Sequence, residues 1–239
     1  MSQTTREPPV LLLTRPEADS RRFAELIGAR AEGVRLVISP LLRIEPLGMP
    51  GPPGGVPVFT SAHAVPLAGP GGGADAWCVG ERTAAAAAAA GWRPRVGAGD
   101  AEALVAAILA SGEAGPFVHL RGAHARGEIA ARLRAGGRAA SERVVYDQRA
   151  APLAAEALAA LAGRAPVVAP LFSPRSAALF AAAAGNPAAP LRVVAMSDAV
   201  RRAVDGAGWP VEVAARPDAG AMSEAVLRSL AIDGRSAAR

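Results

Sequence analysis

The sequence predicts an α/β fold made of two similar parallel-sheet domains with helices on both faces. Short, continuous apolar runs alternate along the chain with segments in which apolar residues recur every three or four positions. The first pattern is typical of strands in a parallel sheet that is covered on both faces, and the second places side chains on one face of a helix. The predicted strands are residues 10–14, 35–39, 56–60, 76–79, 117–120, 143–146, 167–172, 192–196 and 211–214.

An internal repeat indicates that one unit is present twice. Thr14-Arg15, at the end of the first predicted strand, is echoed by Leu120-Arg121 at an offset of 106 residues. Phe59-Thr60-Ser61 is echoed by Phe172-Ser173-Pro174, in which Ser173 lies 112 residues after Ser61. Because each echo lies where a strand ends and a helix begins, the repeat predicts two copies of one flavodoxin-like unit.

The order of the repeated pieces predicts that one unit is inserted into the other. The discontinuous domain comprises residues 1–40 and 150–239, and the inserted domain comprises residues 41–149. The chain must then cross between the domains twice, and residues 42–46 and 144–148 suit a two-stranded linker at these crossings. Two domains joined in this way predict a ligand cleft between them.

Composition and charge are those of an ordered globular protein. Hydrophobic residues make up 51% of the chain and charged residues 20%, which disfavours disorder. The net charge of +5 comes almost wholly from arginine and suits an acidic partner, although most of these arginines are interpreted as ordinary surface residues. Aromatic residues make up only 4%, and no basic stretch is interleaved with them, so nucleic acid is a weak candidate partner.

The single cysteine and the chain start point to a reducing, cytoplasmic setting. Cys78 excludes an internal disulfide, and its apolar surroundings predict an inert residue in the core. Residues 1–9 contain charge and proline without an apolar centre, so they lack the pattern of a signal peptide. The alanine run at residues 84–90 is too short to span a bilayer and predicts a helix of a globular domain, so no membrane partner is expected.

Polar residues cluster at the predicted strand-to-helix turns, where parallel α/β folds bind ligands. The free backbone N–H groups and the positive dipole end of a helix start favour carboxylates or phosphates. Any one hydroxyl at such a turn is also an ordinary helix cap, and the functional interpretation depends on their occurrence in both copies. The candidate substrate-binding residues at these turns are Thr14, Arg15, Thr60, Ser61, Thr83, Arg121, Ser173 and Ser197.

The usual catalytic motifs are missing from the sequence. His63, His119 and His124 lack the spacing of metal ligands and are interpreted as surface or turn residues, so neither a metal nor another cofactor is expected. There is no GxSxG, GxGxxG or P-loop motif. Tyr146, the one tyrosine, ends a predicted strand at a domain crossing, where it either donates a phenolic hydrogen bond into the cleft or packs beside it.

Six segments follow one another along the chain: VLLLTRP, FTSAHAV, CVGERTAAAAAAAGW, HLRG, GGRAASERVVY and LFSPRSAALF. In this order and spacing they resemble the uroporphyrinogen-III synthases over nearly the whole chain. The resemblance implies two flavodoxin-like domains joined by a two-stranded ladder. It also implies a cofactor-free enzyme that cyclises the small-molecule substrate hydroxymethylbilane to uroporphyrinogen III, with inversion of ring D and loss of water. We expect a cytoplasmic monomer.

The resemblance also implies a site. It places Thr14, Arg15, Thr60, Ser61, Thr83, Arg121, Tyr146 and Ser173 around the cleft, with Tyr146 assisting departure of the hydroxyl group. One position departs from the family pattern: the second copy of Gly-x-x-Thr has Val200 in place of threonine. Ser197 offers a hydroxyl one turn earlier.

Two other functions remain open at this point. The first is a non-catalytic, two-domain protein that binds a tetrapyrrole or another anion and has lost turnover, for which Val200 is the sequence hint. The second is a glycosyltransferase-like enzyme. It is less favoured because the chain is short for such an enzyme and lacks a sugar-nucleotide glycine turn. The fold alone does not separate these functions.

Overall fold

The computed structural model describes residues 7–49, 51–97, 99–124 and 128–235. Over these residues the strands are β1 (Val10–Leu13), β2 (Arg35–Ile38), β3 (Leu42–Pro46), β4 (Val56–Phe59), β5 (Asp75–Cys78), β6 (Arg93–Val96), β7 (Phe117–Gly122), β8 (Ala140–Ala150), β9 (Val167–Leu171), β10 (Leu191–Ala195) and β11 (Val211–Val213). The α-helices are α1 (Glu17–Ile27), α2 (Glu81–Ala89), α3 (Ala101–Ala110), α4 (Ile129–Ala135), α5 (Ala155–Ala162), α6 (Pro174–Ala184), α7 (Asp198–Arg202) and α8 (Ala219–Arg235).

The chain folds into two compact units. The discontinuous unit runs as far as Arg43 and resumes at Ala150, and the inserted unit is Ile44–Arg149. The two crossings lie in paired strands, because the N–H of Leu47 donates to the carbonyl of Val145 (2.8 Å) and the N–H of Ala151 to that of Leu41 (3.0 Å). Residue numbers rise along one strand as they fall along its partner, so β3 and β8 form an antiparallel two-stranded ladder at the crossings.

The discontinuous unit is built on a five-stranded parallel sheet in the order β11-β10-β9-β1-β2. Counted within the unit this order is 5-4-3-1-2, the flavodoxin-like arrangement. Phe23 of α1 and Met222 of α8 bury one face of the sheet, and Leu161 of α5 and Phe180 of α6 bury the other. The central strands β1 and β9 are continuous apolar runs because both of their faces are buried.

The inserted unit has the same arrangement with a shifted start. Its sheet runs β3-β8-β7-β4-β5-β6, and the ladders from β8 to β6 are parallel. If β7 is counted first, the order is again 2-1-3-4-5. Leu104 of α3 and Leu133 of α4 cover one face, whereas Val65 of the 3-10 helix Ala62–Ala68 and Ala87 of α2 cover the other.

The topology explains the sequence repeat as two tandem copies that exchange halves. In chain order the first copy is β1, β2, β4, β5 and β6, and the second is β7 to β11. Each sheet takes its first two strands from one copy and its last three from the other. The predicted fold class and all nine predicted strands are therefore present.

Strand β6 was missing from the sequence prediction. Its four residues, Arg93 to Val96, alternate charge with a proline and are largely exposed, so they do not form an apolar run. The strand lies at the edge of the inserted sheet, where proline is tolerated because one side of the strand needs no ladder hydrogen bond. Cys78, by contrast, lies in the core as predicted, and burial raises the pKa of its thiol to about 11.

We predict that Gly71→Ala destabilises the inserted unit. A Cβ at this position would lie 2.3 Å from the backbone nitrogen of Trp92 and 2.5 Å from the carbonyl carbon of Gly91, and backbone atoms of a packed loop cannot move aside cheaply. We expect the free energy of unfolding to fall by about 1–3 kcal/mol in urea titrations. Gly51→Ala is the matched control, because nothing lies within 4 Å of its Cβ, and it should change little. Equal midpoints for the two variants would contradict this packing.

Candidate active site

Each sheet contains one position where ligands are expected to bind, between the two central strands whose following connections run to opposite faces. We call this position the switch point of a unit. In the discontinuous unit it lies between β1, followed by α1, and β9, followed by α6. In the inserted unit it lies between β7, followed by α4, and β4, followed by the 3-10 helix. Six of the predicted substrate-binding residues lie at the two switch points: Thr14, Arg15, Thr60, Ser61, Arg121 and Ser173.

Arg15 spans the switch point of the discontinuous unit. It follows β1, and its guanidinium carbon lies 4.3 Å from the ring centre of Phe172, which follows β9. One guanidinium nitrogen lies 3.4 Å from a carboxylate oxygen of Asp19, and about a quarter of the side chain is exposed (24%). Stacking and ion pairing hold the guanidinium plane in place, which is the arrangement that arginine uses to bind carboxylates. Thr14 beside it is buried, so little of its surface is accessible.

The hydroxyls of Ser173 and Ser197 stand at helix starts. Ser173 caps α6, since its Oγ accepts from the N–H of Ser176 (3.1 Å) and lies 2.8 Å from the Ser176 hydroxyl. This is the ordinary capping function of serine, and it accounts for the residue without a ligand. Ser197 precedes α7, makes no side-chain capping bond and is half-buried.

Thr83 and Val200 occupy equivalent positions in the two units. Each is the third residue of its helix and donates its N–H, over 3.0 Å, to the carbonyl of the residue before the helix, Gly80 in one case and Ser197 in the other. Both side chains are buried. Valine and threonine have nearly the same shape, so Val200 fills this place and packs in the core of the discontinuous unit.

Thr60 and His119 form a hydrogen bond across the switch point of the inserted unit. The Oγ1 atom of Thr60, just after β4, lies 3.0 Å from Nε2 of His119 in β7. His119 is buried, with 1% of its surface exposed, so its interpretation as a surface or turn residue was wrong. The Oγ of the adjacent Ser61 accepts from the N–H of His63 (3.3 Å) and begins the 3-10 helix.

Arg121 already binds a carboxylate of its own chain. Its Nε and Nη2 donate to the two carboxylate oxygens of Glu142 (3.0 and 2.7 Å), and Nη1 donates to the carbonyl of Gly122 (3.0 Å). The hydrogen bonds between them raise the pKa of Arg121 and lower the pKa of Glu142. A substrate carboxylate would have to displace Glu142 to use the same fork.

Tyr146 packs on the other face of the inserted sheet. A bulge in β8 sets it opposite Gly122, and its ring lies so close that a Cβ on Gly122 would be 2.6 Å from two ring carbons. The ring of His63 meets it edge-on, with centres 6.1 Å apart. With 6% of its surface exposed, Tyr146 belongs to the core cluster beneath the 3-10 helix. Packing, the alternative left open by the sequence, is what the structure shows for the ring.

His119 is neutral at physiological pH. Burial lowers its pKa to about 4, and the neighbouring charge of Arg121 acts in the same direction while that of Glu142 opposes it. Within the described residues, Nδ1 has no hydrogen-bond partner. His119 and Glu142 were missed as site residues. The available signal was the alternation along β7, which puts His119 and Arg121 on one face of the strand and Val118 and Leu120 on the other.

The described residues contain no group of three or more His, Cys, Asp or Glu side chains that could hold a metal ion. Over the same residues, no helix is both long enough and apolar enough to cross a membrane.

We predict that His119 makes stability depend on pH below neutrality. The pKa of His119 is about 4 in the folded chain, compared with an ordinary value of 6.5. The unfolded chain therefore binds a proton at this histidine more readily than the folded chain does. The contribution of neutral His119 to the free energy of unfolding is complete above pH 6.5. It is lost as the pH falls towards 4, and about 2 kcal/mol of it is lost at pH 5. Urea unfolding at pH 7.5 and pH 5 should show that His119→Met loses less stability over this interval than the natural chain. His124→Gln, at a side chain 54% exposed, should keep the natural slope. Equal slopes for the natural chain and His119→Met would contradict the burial argument.

Comparisons with known proteins agree with this architecture. A crystal structure of uroporphyrinogen-III synthetase from Helicobacter pylori 26695 matches with a TM-score of 0.62 at 14% identity, covering 93% of this chain and 99% of that chain. A mutant uroporphyrinogen III synthase from the extremely thermophilic bacterium Thermus thermophilus matches with a TM-score of 0.47 at 17% identity, covering 93% and 99%. No curated protein sequence matches the chain. At such identities the likeness to the H. pylori structure shows the fold.

The family itself is shown by the sequence. The uroporphyrinogen-III synthase HemD family matches residues 21–224, which include the whole inserted unit and most of the discontinuous unit but not β1, Thr14 and Arg15. Because this match extends over most of its length, the chain belongs to the uroporphyrinogen-III synthase family of tetrapyrrole biosynthesis.

Proposed function

We propose that this protein cyclises hydroxymethylbilane to uroporphyrinogen III, with inversion of ring D and loss of water. The family match over residues 21–224 is the observation that carries the proposal. The two sheets support it, because each ends in a switch point with hydroxyl and arginine side chains suited to a polycarboxylate.

The reaction needs ionisation and then a choice between two closures. The hydroxyl of the terminal hydroxymethyl group is protonated and leaves as water, and the azafulvene cation that remains is attacked by the far end of the chain. Attack at the substituted carbon of ring D gives a spiro intermediate, which breaks and recloses with ring D inverted. Without an enzyme the substrate closes to the type I isomer. The protein therefore has mainly to orient the substrate, a task for which many fixed contacts serve better than one strong acid or base.

We assign substrate carboxylates first to Arg15. Its guanidinium plane is held by Phe172 and Asp19, so little side-chain freedom is lost when a carboxylate binds. We propose the polar residues around it and around the other switch point as further contacts: Thr14, Thr60, Ser61, Thr83, Arg121, Ser173 and Ser197. Among these, Arg121 would contact a substrate carboxylate while its pairing with Glu142 is kept, and backbone N–H groups at the helix starts would add to the binding.

We further propose how the protein works in the cell. The two compact units are its domains, and it acts as a cytoplasmic monomer on a small-molecule substrate, without a nucleic-acid partner. The +5 net charge is compatible with this, since a substrate with several carboxylates is itself an acidic partner.

The proposal is tested by identifying the product isomer. Hydroxymethylbilane is generated in situ and added to the purified protein, and the products are oxidised and resolved into type I and type III uroporphyrin. We expect type III to predominate, with type I alone in the reaction without protein. Only type I from protein shown to be folded would instead favour the non-catalytic binding protein.

Tyr146→Phe tests the role proposed for the phenol. The variant keeps the ring on Gly122 and against His63, so the fold and the free energy of unfolding should be nearly unchanged. If the phenol assists departure of the hydroxyl group, kcat should fall by about 100-fold or more at unchanged KM, and more type I should form because uncatalysed closure competes. Full turnover by Tyr146→Phe would leave Tyr146 as a packing residue of the inserted unit.

A further inference from the structure

The inserted unit carries a row of polar side chains on one face of its sheet. In the registered strands Glu142 of β8 lies beside His119 of β7, which lies beside Val58 of β4. Thr60 follows Val58 by two residues and therefore points to the same face, as does Arg121 two residues after His119. The row ends at the switch point, where Thr60 is half-buried and borders solvent.

The orientation of the Glu142 carboxylate decides what His119 can bind. A glutamate directly across the ladder from a histidine would ordinarily accept from its ring and favour the charged form. Here both carboxylate oxygens of Glu142 are bound by Arg121 instead. The bond that His119 makes is the one between Nε2 and the Thr60 hydroxyl.

The burial of the ring then determines where its proton lies. A neutral imidazole carries one proton, on either Nδ1 or Nε2. If Nδ1 carried it, a buried N–H would lack an acceptor among the described residues, and orphaned buried donors are rarer and more costly than orphaned acceptors. The proton therefore lies on Nε2, which donates to Oγ1 of Thr60.

We propose that His119 is a positioning residue that makes the Thr60 hydroxyl a hydrogen-bond donor to a substrate carboxylate at the switch point of the inserted unit. Because Oγ1 accepts from Nε2, the hydroxyl proton turns away from the ring and is presented to an acceptor outside it. The inference rests on the proposed function, since the acceptor is a carboxylate of the tetrapyrrole. His119 itself touches no substrate and acts through Thr60.

Kinetics of a double-mutant cycle test the coupling. Thr60→Val removes the hydroxyl and keeps the shape, and His119→Met removes the ring donor with a side chain of similar size. Each should lower kcat/KM by roughly 10- to 100-fold, mostly through KM, because a hydrogen bond to a charged group is lost. The double variant should be no worse than the poorer single variant. Losses that multiply would overturn the proposal.

Two further variants separate positioning from simple packing. His119→Gln can present an amide N–H near the place of Nε2 and should recover part of the lost kcat/KM, whereas packing alone would rank it below His119→Met. His124→Gln is the matched control, since His124 is a largely exposed histidine paired with Asp147 and should leave kinetics unchanged. Failure of His119→Gln to exceed His119→Met would count against the proposal.

The tautomer can be measured on the natural chain, so the proposal stays testable if a His119 variant does not fold. Nitrogen NMR of protein labelled in its three histidines distinguishes a protonated from an unprotonated ring nitrogen, and His124→Gln assists assignment. We expect His119 to be protonated on Nε2 alone at pH 7.5. Protonation on Nδ1 would overturn the inference while type III product still upheld the proposed function; absence of type III product would remove the function itself.

Discussion

The structure depends on two parallel strand pairings that join distant parts of the chain. In the discontinuous unit Val10 pairs with Val167, and the whole inserted unit lies between these two residues in the sequence. In the inserted unit Val56 pairs with Phe117. The entropy lost on closing a long loop grows only slowly with its length, so such an insertion is thermodynamically tolerable once the sheet buries enough apolar surface. These two pairings also create the switch points, because each joins strands whose connections leave to opposite faces.

Exchange of halves between two tandem copies gives the units the same topology but different contents. Where the discontinuous unit has Arg15 stacked on Phe172, the inserted unit has Thr60 bonded to His119. A capping serine is kept at both places, Ser173 before α6 in one unit and Ser61 before the 3-10 helix in the other. The repeated backbone supplies the helix starts, and the side chains have diverged.

The sequence predicted the strands and the fold class well and the side-chain pairs poorly, for a physical reason. Apolar runs and the repeat report on burial and connection, which are local or periodic properties. The bonds of His119 with Thr60 and of Arg121 with Glu142 depend on register between strands, which periodicity does not reveal. Val200 could not be interpreted from the sequence for the same reason, because it only departed from the family pattern there. In the structure it is buried at the third position of α7, where valine replaces threonine with nearly the same shape. Strand β6 was not predicted because an exposed edge strand needs no apolar run.

The electrostatics of the inserted switch point fit the cation that the proposed reaction generates. A cationic side chain close to the azafulvene would raise its free energy, most of all where water is excluded. Arg121 is matched there by Glu142, and His119 is kept neutral by burial, so these three groups sum to no net charge. A neutral hydroxyl that donates to a carboxylate grips the substrate without adding positive charge beside the reacting centre.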